Sequence, residues 1–168
     1  MSQAAASRPA SSSGWTRKTP PDFSREARSG SWKGTSPGGE VAATTGRIRR
    51  VGWLDLEIVR TAVLLSGVTE LCVTKLDVLS DLEELQVCVG YKLDGKAVGY
   101  TDVDAYGLDK VELVYQKVKG WKEDISKVRS FNELPTNAQA YIKMIEDAAG
   151  APVKWIGVGP ERDATIRR

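Results

Sequence analysis

The 168-residue sequence contains no histidine, only two cysteines, and no Ile, Leu or Val in its first 40 residues. Lacking imidazole, the chain cannot form a Ser-His or Cys-His nucleophile pair, an imidazole acid or base, or the commonest kind of metal ligand. Any chemistry must use carboxylates, lysines, arginines or backbone dipoles. Two cysteines cannot build a disulfide framework. Cys72 and Cys88 both lie in apolar runs (LCVT and QVCVG) and read as buried thiols of a cytoplasmic protein. No window approaches the roughly 18 consecutive apolar residues of a membrane-spanning helix.

Residues 1–40 hold 18 Ser, Pro or Gly, and a segment so poor in apolar side chains cannot offset its ordering entropy. They read as a disordered extension preceding a domain over 41–168. The extension carries six Lys/Arg against three Asp/Glu, a charge of +3, whereas the whole chain is at +2, so the remainder stands at −1. The basic character therefore belongs to the extension, and the domain makes no general case for nucleic acid. A Ser- and Arg-rich, acid-poor start is also the composition of an organelle transit peptide, the alternative to a cytoplasmic location.

The domain reads as mixed α/β. Trp53, Leu54, Ile58, Ala62 and Leu65 recur at helical spacing before Gly67, and Leu71 to Val73 is a short apolar strand of the kind covered on both faces. Leu85, Val87, Val89, Tyr91 and Leu93 alternate with more polar residues, Asp94-Gly95 supplies a hairpin turn, and Val111, Leu113 and Tyr115 repeat the alternation. Thr136 and Gln139 have the spacing of a capping box. Ala138, Tyr141, Ile142, Ile145 and Ala149 then form one stripe, which Gly150 and Pro152 end, and a last strand runs from Val153 to Val158. The expectation is a mixed sheet with flanking helices and an antiparallel hairpin layer, with two strands ending in polar loops where open sheets bind ligands.

Three loops have the composition for ligand chemistry. In Ala43-Thr44-Thr45-Gly46-Arg47-Ile48-Arg49-Arg50, two hydroxyls, a glycine and three guanidiniums suit a carboxylate or phosphate. The same residues also suit a solvated basic turn. In Thr74-Lys75-Leu76-Asp77, the carboxylate can accept from both N1–H and the 2-amino group of guanine while the lysine stem lies along the ring. Adenine has no such donor pair, and a site built for paired hydrogen bonds discriminates by ~10⁴ or more. A surface turn is the plainer reading of K-x-D. In Gly157-Val158-Gly159-Pro160-Glu161-Arg162, the glycines let a planar base lie against backbone. A dinucleotide G-x-G-x-x-G loop is excluded because Arg162 occupies its third glycine position.

Taken together, ATTGRIRRVGWLDL (43–56), TKLDVL (74–79), VGYKLDG (89–95), ELPTNAQAYI (133–142) and PVKWIGVGPERDA (152–164) resemble the C-terminal part of adenylosuccinate synthetase over residues 38–168. The resemblance implies a piece of that fold and a GTP-dependent ligase that joins aspartate to IMP in AMP synthesis. It implies IMP, aspartate and GTP as ligands, a homodimer, and no membrane partner. By position, Ala43, Thr44, Thr45, Gly46, Arg47, Ile48 and Arg49 would hold aspartate and IMP. Arg49, Lys75, Leu76, Asp77, Gly157, Val158 and Gly159 would bind GTP. The family's glycine-rich phosphate loop, its catalytic aspartate and histidine and its magnesium ligands have no counterpart in this sequence. The expectation is a chain that is inactive alone, whose strands, taken from a larger sheet, leave exposed edges. Guanine-nucleotide binding or pairing with a subunit is the alternative role.

Overall fold

The computed structural model describes the backbone of residues 40–42 and 48–50 and the whole of residues 52–168. The extension read at residues 1–40 lies outside the described residues up to residue 39. Glu40–Ala42 (β1) pairs antiparallel with Ile48–Arg50 (β2), placing Val41 opposite Arg49.

The next strand, Leu54–Asp55 (β3), leads directly into helix α1, Leu56–Ser66. Asp55 begins the helix because its carboxylate accepts from the backbone N–H groups of Glu57 (3.0 Å) and Ile58 (3.1 Å), a cap worth about 1 kcal/mol. Its second oxygen accepts from the Tyr91 hydroxyl at 2.6 Å, which fixes the helix start to the neighbouring sheet. Gly67 ends α1 in the left-handed region, φ 61°, with its N–H bonded to the Val63 carbonyl. The helix thus starts later than the apolar spacing from Trp53 suggested, because capping by Asp55 outweighs periodicity. The buried face differs as well: Leu56, Glu57 and Thr61 turn inward, while Ile58, Ala62 and Leu65 are exposed.

Two sheets follow. In the first, Glu84–Leu93 (β5) is the central strand. Along one edge it pairs with β3 in parallel and with Lys96–Val98 (β6) antiparallel; along the other it pairs antiparallel with Glu112–Lys119 (β7). Asp94 and Gly95 both have positive φ (52° and 75°), as a two-residue hairpin turn requires. The β5–β7 register shifts between Cys88 and Gly90, so Cys88 is buried beside Val87 although strict alternation would send it to the other face. In the second sheet, Leu71–Val73 (β4) pairs in parallel with Val153–Gly157 (β8), and β8 pairs antiparallel with Thr165–Arg167 (β9). Cys72 is exposed rather than buried, because β4 is a short strand at the edge of this sheet.

Helix α2, Thr136–Ala149, buries the predicted stripe of Ala138, Tyr141, Ile142, Ile145 and Ala149. Its start is not a capping box. Pro135 occupies the cap position without a side-chain bond, and the Gln139 amide donates instead to the carbonyl of Leu134 at 2.8 Å. Residues from both sheets and both helices form one core, among them Leu56, Leu76, Leu85, Trp121, Ile142 and Ile156.

The connection after β7 makes a close crossing. The Gly120 N–H donates to the Glu83 carbonyl at 2.9 Å, and a Cβ on Gly120 would fall on the carbonyl oxygen of Leu82. Backbone cannot yield as a side chain can, so Gly120→Ala is expected to cost on the order of 3 kcal/mol or more, or to prevent folding, as read by urea denaturation. Burial pushes the Tyr141 hydroxyl up to about 12. Its neutral form is thus favoured in the folded state, and the stability this contributes is intact below pH 10 and lost as pH rises from about 10 through 12. Tyr141→Phe should flatten the alkaline limb of a stability-versus-pH curve by roughly 2 kcal/mol. An unchanged limb would remove Tyr141 as its cause.

Candidate functional site

Strands β4 and β8 run in parallel, so their carboxyl ends open on the same side, the position where open α/β sheets place ligands. Val73 pairs with Ile156, and the next residues on each strand, Thr74 and Gly157, begin the two loops singled out by composition. A Cβ on Gly157 would lie 3.4 Å from the Thr74 Cα and 3.6 Å from the Lys75 nitrogen. Two segments far apart in sequence thus share one crevice.

On the β4 side, Lys75 has φ 61°, a conformation in which an L side chain is strained, and its side chain is exposed. Leu76 follows, fully buried, and begins a short 3₁₀ turn, Leu76–Leu79. The Lys75 carbonyl accepts from Val78 N–H at 3.3 Å and the Asp77 carbonyl from Ser80 N–H at 3.1 Å. Ser80 is bridged to Trp121, whose indole N–H donates to the Ser80 hydroxyl at 3.2 Å, so the turn is tied to the core at both ends. The Asp77 side chain is half-buried. Leu76 points into the core, so it can offer a ligand only its backbone.

On the β8 side, Val158 is fully buried and its N–H donates to the Ala164 carbonyl at 2.9 Å, while Ala164 N–H donates to Glu161 at 3.0 Å. A Cβ on Gly159 would meet that of Ala164 at 3.1 Å. Arg129 braces this loop from outside: its guanidinium donates to the Ser126 carbonyl at 2.7 Å and lies 3.7 Å from the Asp163 carboxylate. Asp124, in the same segment, is held below the usual carboxylate range by the backbone N–H of Ser126. Sequence reasoning missed Trp121 and Arg129, since no spacing links them to the motifs they support.

Of the other expected residues, Ala43, Thr44, Thr45, Gly46 and Arg47 lie outside the described residues. The backbone of Ile48 and Arg49 belongs to β2. Gly157 lies against the backbone of Thr74 and Lys75, the half-buried Asp77 follows two residues further on, and Leu76 and Val158 are buried as anchors of the two loops. Among the described residues, no three His, Cys, Asp or Glu side chains cluster so as to hold a metal ion.

The family profile described as adenylosuccinate synthetase matches residues 20–166. The chain belongs to the adenylosuccinate synthetase family. It is 48% identical over 131 residues to the adenylosuccinate synthetase of Scheffersomyces stipitis, covering 78% of this chain and 30% of that one. It is 52% identical over 130 residues to the chloroplastic adenylosuccinate synthetase of Chlamydomonas reinhardtii, covering 77% and 28% respectively. The structure of fully ligated adenylosuccinate synthetase from Plasmodium falciparum superposes with a TM-score of 0.70 at 41% identity, covering 74% of this chain and 30% of that chain. The chain therefore spans about 30% of the length of these adenylosuccinate synthetases.

The Gly157 geometry yields a test. Its added Cβ would make ordinary contacts at 3.4 and 3.6 Å, so Gly157→Ala should fold with stability within about 1 kcal/mol of the parent. The methyl group would occupy crevice space, and binding of a fluorescent guanosine diphosphate analogue should weaken by about tenfold. Unchanged titration curves would place the base elsewhere.

Proposed function

We propose that this chain carries the guanine-reading and aspartate-gripping edges of an adenylosuccinate synthetase, the ligase that joins aspartate to IMP at the expense of GTP. One observation carries the reading: the Thr74–Asp77 and Gly157–Gly159 loops meet at the carboxyl ends of adjacent parallel strands, with Gly157 packed against the Thr74–Lys75 backbone. Asp77 accepts from N1–H and the 2-amino group of guanine, the Lys75 stem covers the ring face, and Gly157, Val158 and Gly159 form the opposite wall. Thr44, Thr45, Gly46 and Arg47 hold the aspartate carboxylates, Arg47 also reaches the IMP ribose, and Arg49 contacts GTP, with Ala43 and Ile48 completing the loop.

Transfer of the phosphoryl group requires a clamp around developing charge and a metal ion. The chain has no histidine. Among the described residues no three His, Cys, Asp or Glu side chains cluster to hold that ion. The chain alone is thus a recognition piece, and turnover belongs to an assembly that supplies the phosphate loop. Pairing with a full-length subunit, in the manner of the family homodimer, is the second role this reading allows. Among the described residues no helix is long and apolar enough to cross a membrane. A cytoplasmic location is the simplest reading, with an organelle the alternative, since the Chlamydomonas relative is chloroplastic.

The base-reading assignment is tested by Asp77→Asn. An amide can donate to the 2-carbonyl of xanthine where the carboxylate accepted from the 2-amino group of guanine. The parent should prefer guanosine diphosphate over xanthosine diphosphate, and the variant should reverse that preference by roughly 10²-fold or more in the ratio of affinities. Equal binding of both bases before and after the change would remove Asp77 from the site.

A further inference from the structure

Helix α2 has a second face that the core does not use. Its buried stripe of Ala138, Tyr141, Ile142, Ile145 and Ala149 packs inward, whereas Ala140, Lys143, Met144, Asp147 and Ala148 recur at spacings of three and four on the adjoining side. That side borders a cavity of about 540 Å³ between α2, the start of α1 and the two long strands β5 and β7. The volume is that of a small-molecule site, and the cavity shares no residue with the crevice at Thr74 and Gly157.

The walls and the polar groups have different chemistry. Leu56, Val89 and Met144 supply apolar surface, and the small side chains of Ala140 and Ala148 leave open the space that a leucine would fill. The polar groups are Arg60, Gln116, Lys143 and Asp147. Arg60 is fixed in place: its guanidinium donates to Glu57 Oε2 at 2.7 Å, and Glu57, only 9% exposed, also accepts from the Tyr100 N–H at 3.2 Å. A guanidinium has more donors than this bond uses, and the others have no partner among the described residues. Lys143 lies 3.1 Å from Asp147 in an exposed helical pair, a contact weak enough for the ammonium to turn to a ligand at small cost.

These charges select the ligand. Arg60 and Lys143 against Asp147 give the lining a charge of +1, and Glu57 stands directly behind Arg60. A single negative charge is matched there, whereas a doubly charged phosphate would exceed it. A carboxylate also meets the edge of a guanidinium through two parallel hydrogen bonds. An apolar body is needed as well, since a purely polar anion would leave the walls in contact with water.

We propose that this cavity is a binding site for a small amphipathic carboxylate, its head on Arg60 and Lys143 and its apolar body against Leu56, Val89 and Met144. The proposal does not rest on the guanine reading.

Met144 is the only methionine besides Met1, so methyl-labelled methionine makes the 168-residue chain report on the cavity through a single resonance. The probe is hexanoate, with hexan-1-ol and hexylammonium as controls of the same length. The expected result is a saturable shift of the Met144 methyl, with hexanoate binding about tenfold more tightly than either control. Arg60→Met should bring hexanoate to the level of hexan-1-ol. Because that change leaves the buried Glu57 without its partner and can unfold the chain, Lys143→Met, at an exposed side chain, is the second variant and should weaken hexanoate about threefold. Ala140→Phe, also at an exposed position, should abolish the shift while leaving circular dichroism unchanged. A methyl signal that hexanoate does not move would overturn the proposal. So would controls that bind as tightly as hexanoate, hexanoate binding indifferent to both charge-removing variants, or an Ala140→Phe chain that still binds. A Met144 shift that grows with protein concentration in the absence of ligand would identify a second copy as the occupant, and would also overturn it. Guanosine diphosphate titration is a separate readout, so loss of either reading leaves the other standing.

Discussion

The parallel pairing of β4 with β8 is the constraint on which the rest of the structure depends. It joins segments with three strands of the other sheet and a helix between them, and three residue pairs are a short ladder for so long a loop. What holds it is α2. Ile142 and Ile145 pack with Ile156 and Ile166 in one core, all four nearly inaccessible to solvent. At roughly 1.5–3 kcal/mol for each buried side chain, their contribution far exceeds that of any single polar contact nearby. Glu146 has a narrower role. Its carboxylate accepts from the Val153 N–H and from Arg168, both at 2.8 Å, so it ties the helix to the first residue of β8 and to the end of β9. Packing supplies the stability, and Glu146 helps to set the register that brings Gly157 opposite Thr74.

The same distinction explains which parts of the fold were legible in the sequence. The face of α2 was readable residue by residue, because every apolar position in its stripe meets a partner within the chain. The face of α1 was not. Its apolar positions Ile58, Ala62 and Leu65 have helical spacing and remain exposed, while Leu56, Glu57 and Thr61 are covered. Periodicity records the contacts for which a helix is built, and on α1 those contacts are not made by the described residues. Cys72 fits the same account: an apolar run written for an interior strand sits at an edge. Cys88 differs, since it is buried through a shift of register at Gly90 that alternation does not encode.

For the candidate site, composition marked the two loops but could not show that they meet. K-x-D and G-x-G are each common in surface turns, and their meaning comes from the parallel pairing. Within the motifs, not every residue faces a ligand. Leu76 and Val158 are core anchors that hold the backbone of their loops, and Arg129 and Trp121 brace those loops from outside the motifs. Positioning of this kind is invisible to spacing, because the braces come from unrelated stretches of chain.

Lys75 shows how the core sets the backbone of the loop after β4. Holding a non-glycine residue at φ 61° costs on the order of 1 kcal/mol or more. The adjacent Leu76 is buried to 1% exposure, which contributes roughly 1.5–3 kcal/mol, enough to impose the turn. The strain at Lys75 is therefore maintained by the core.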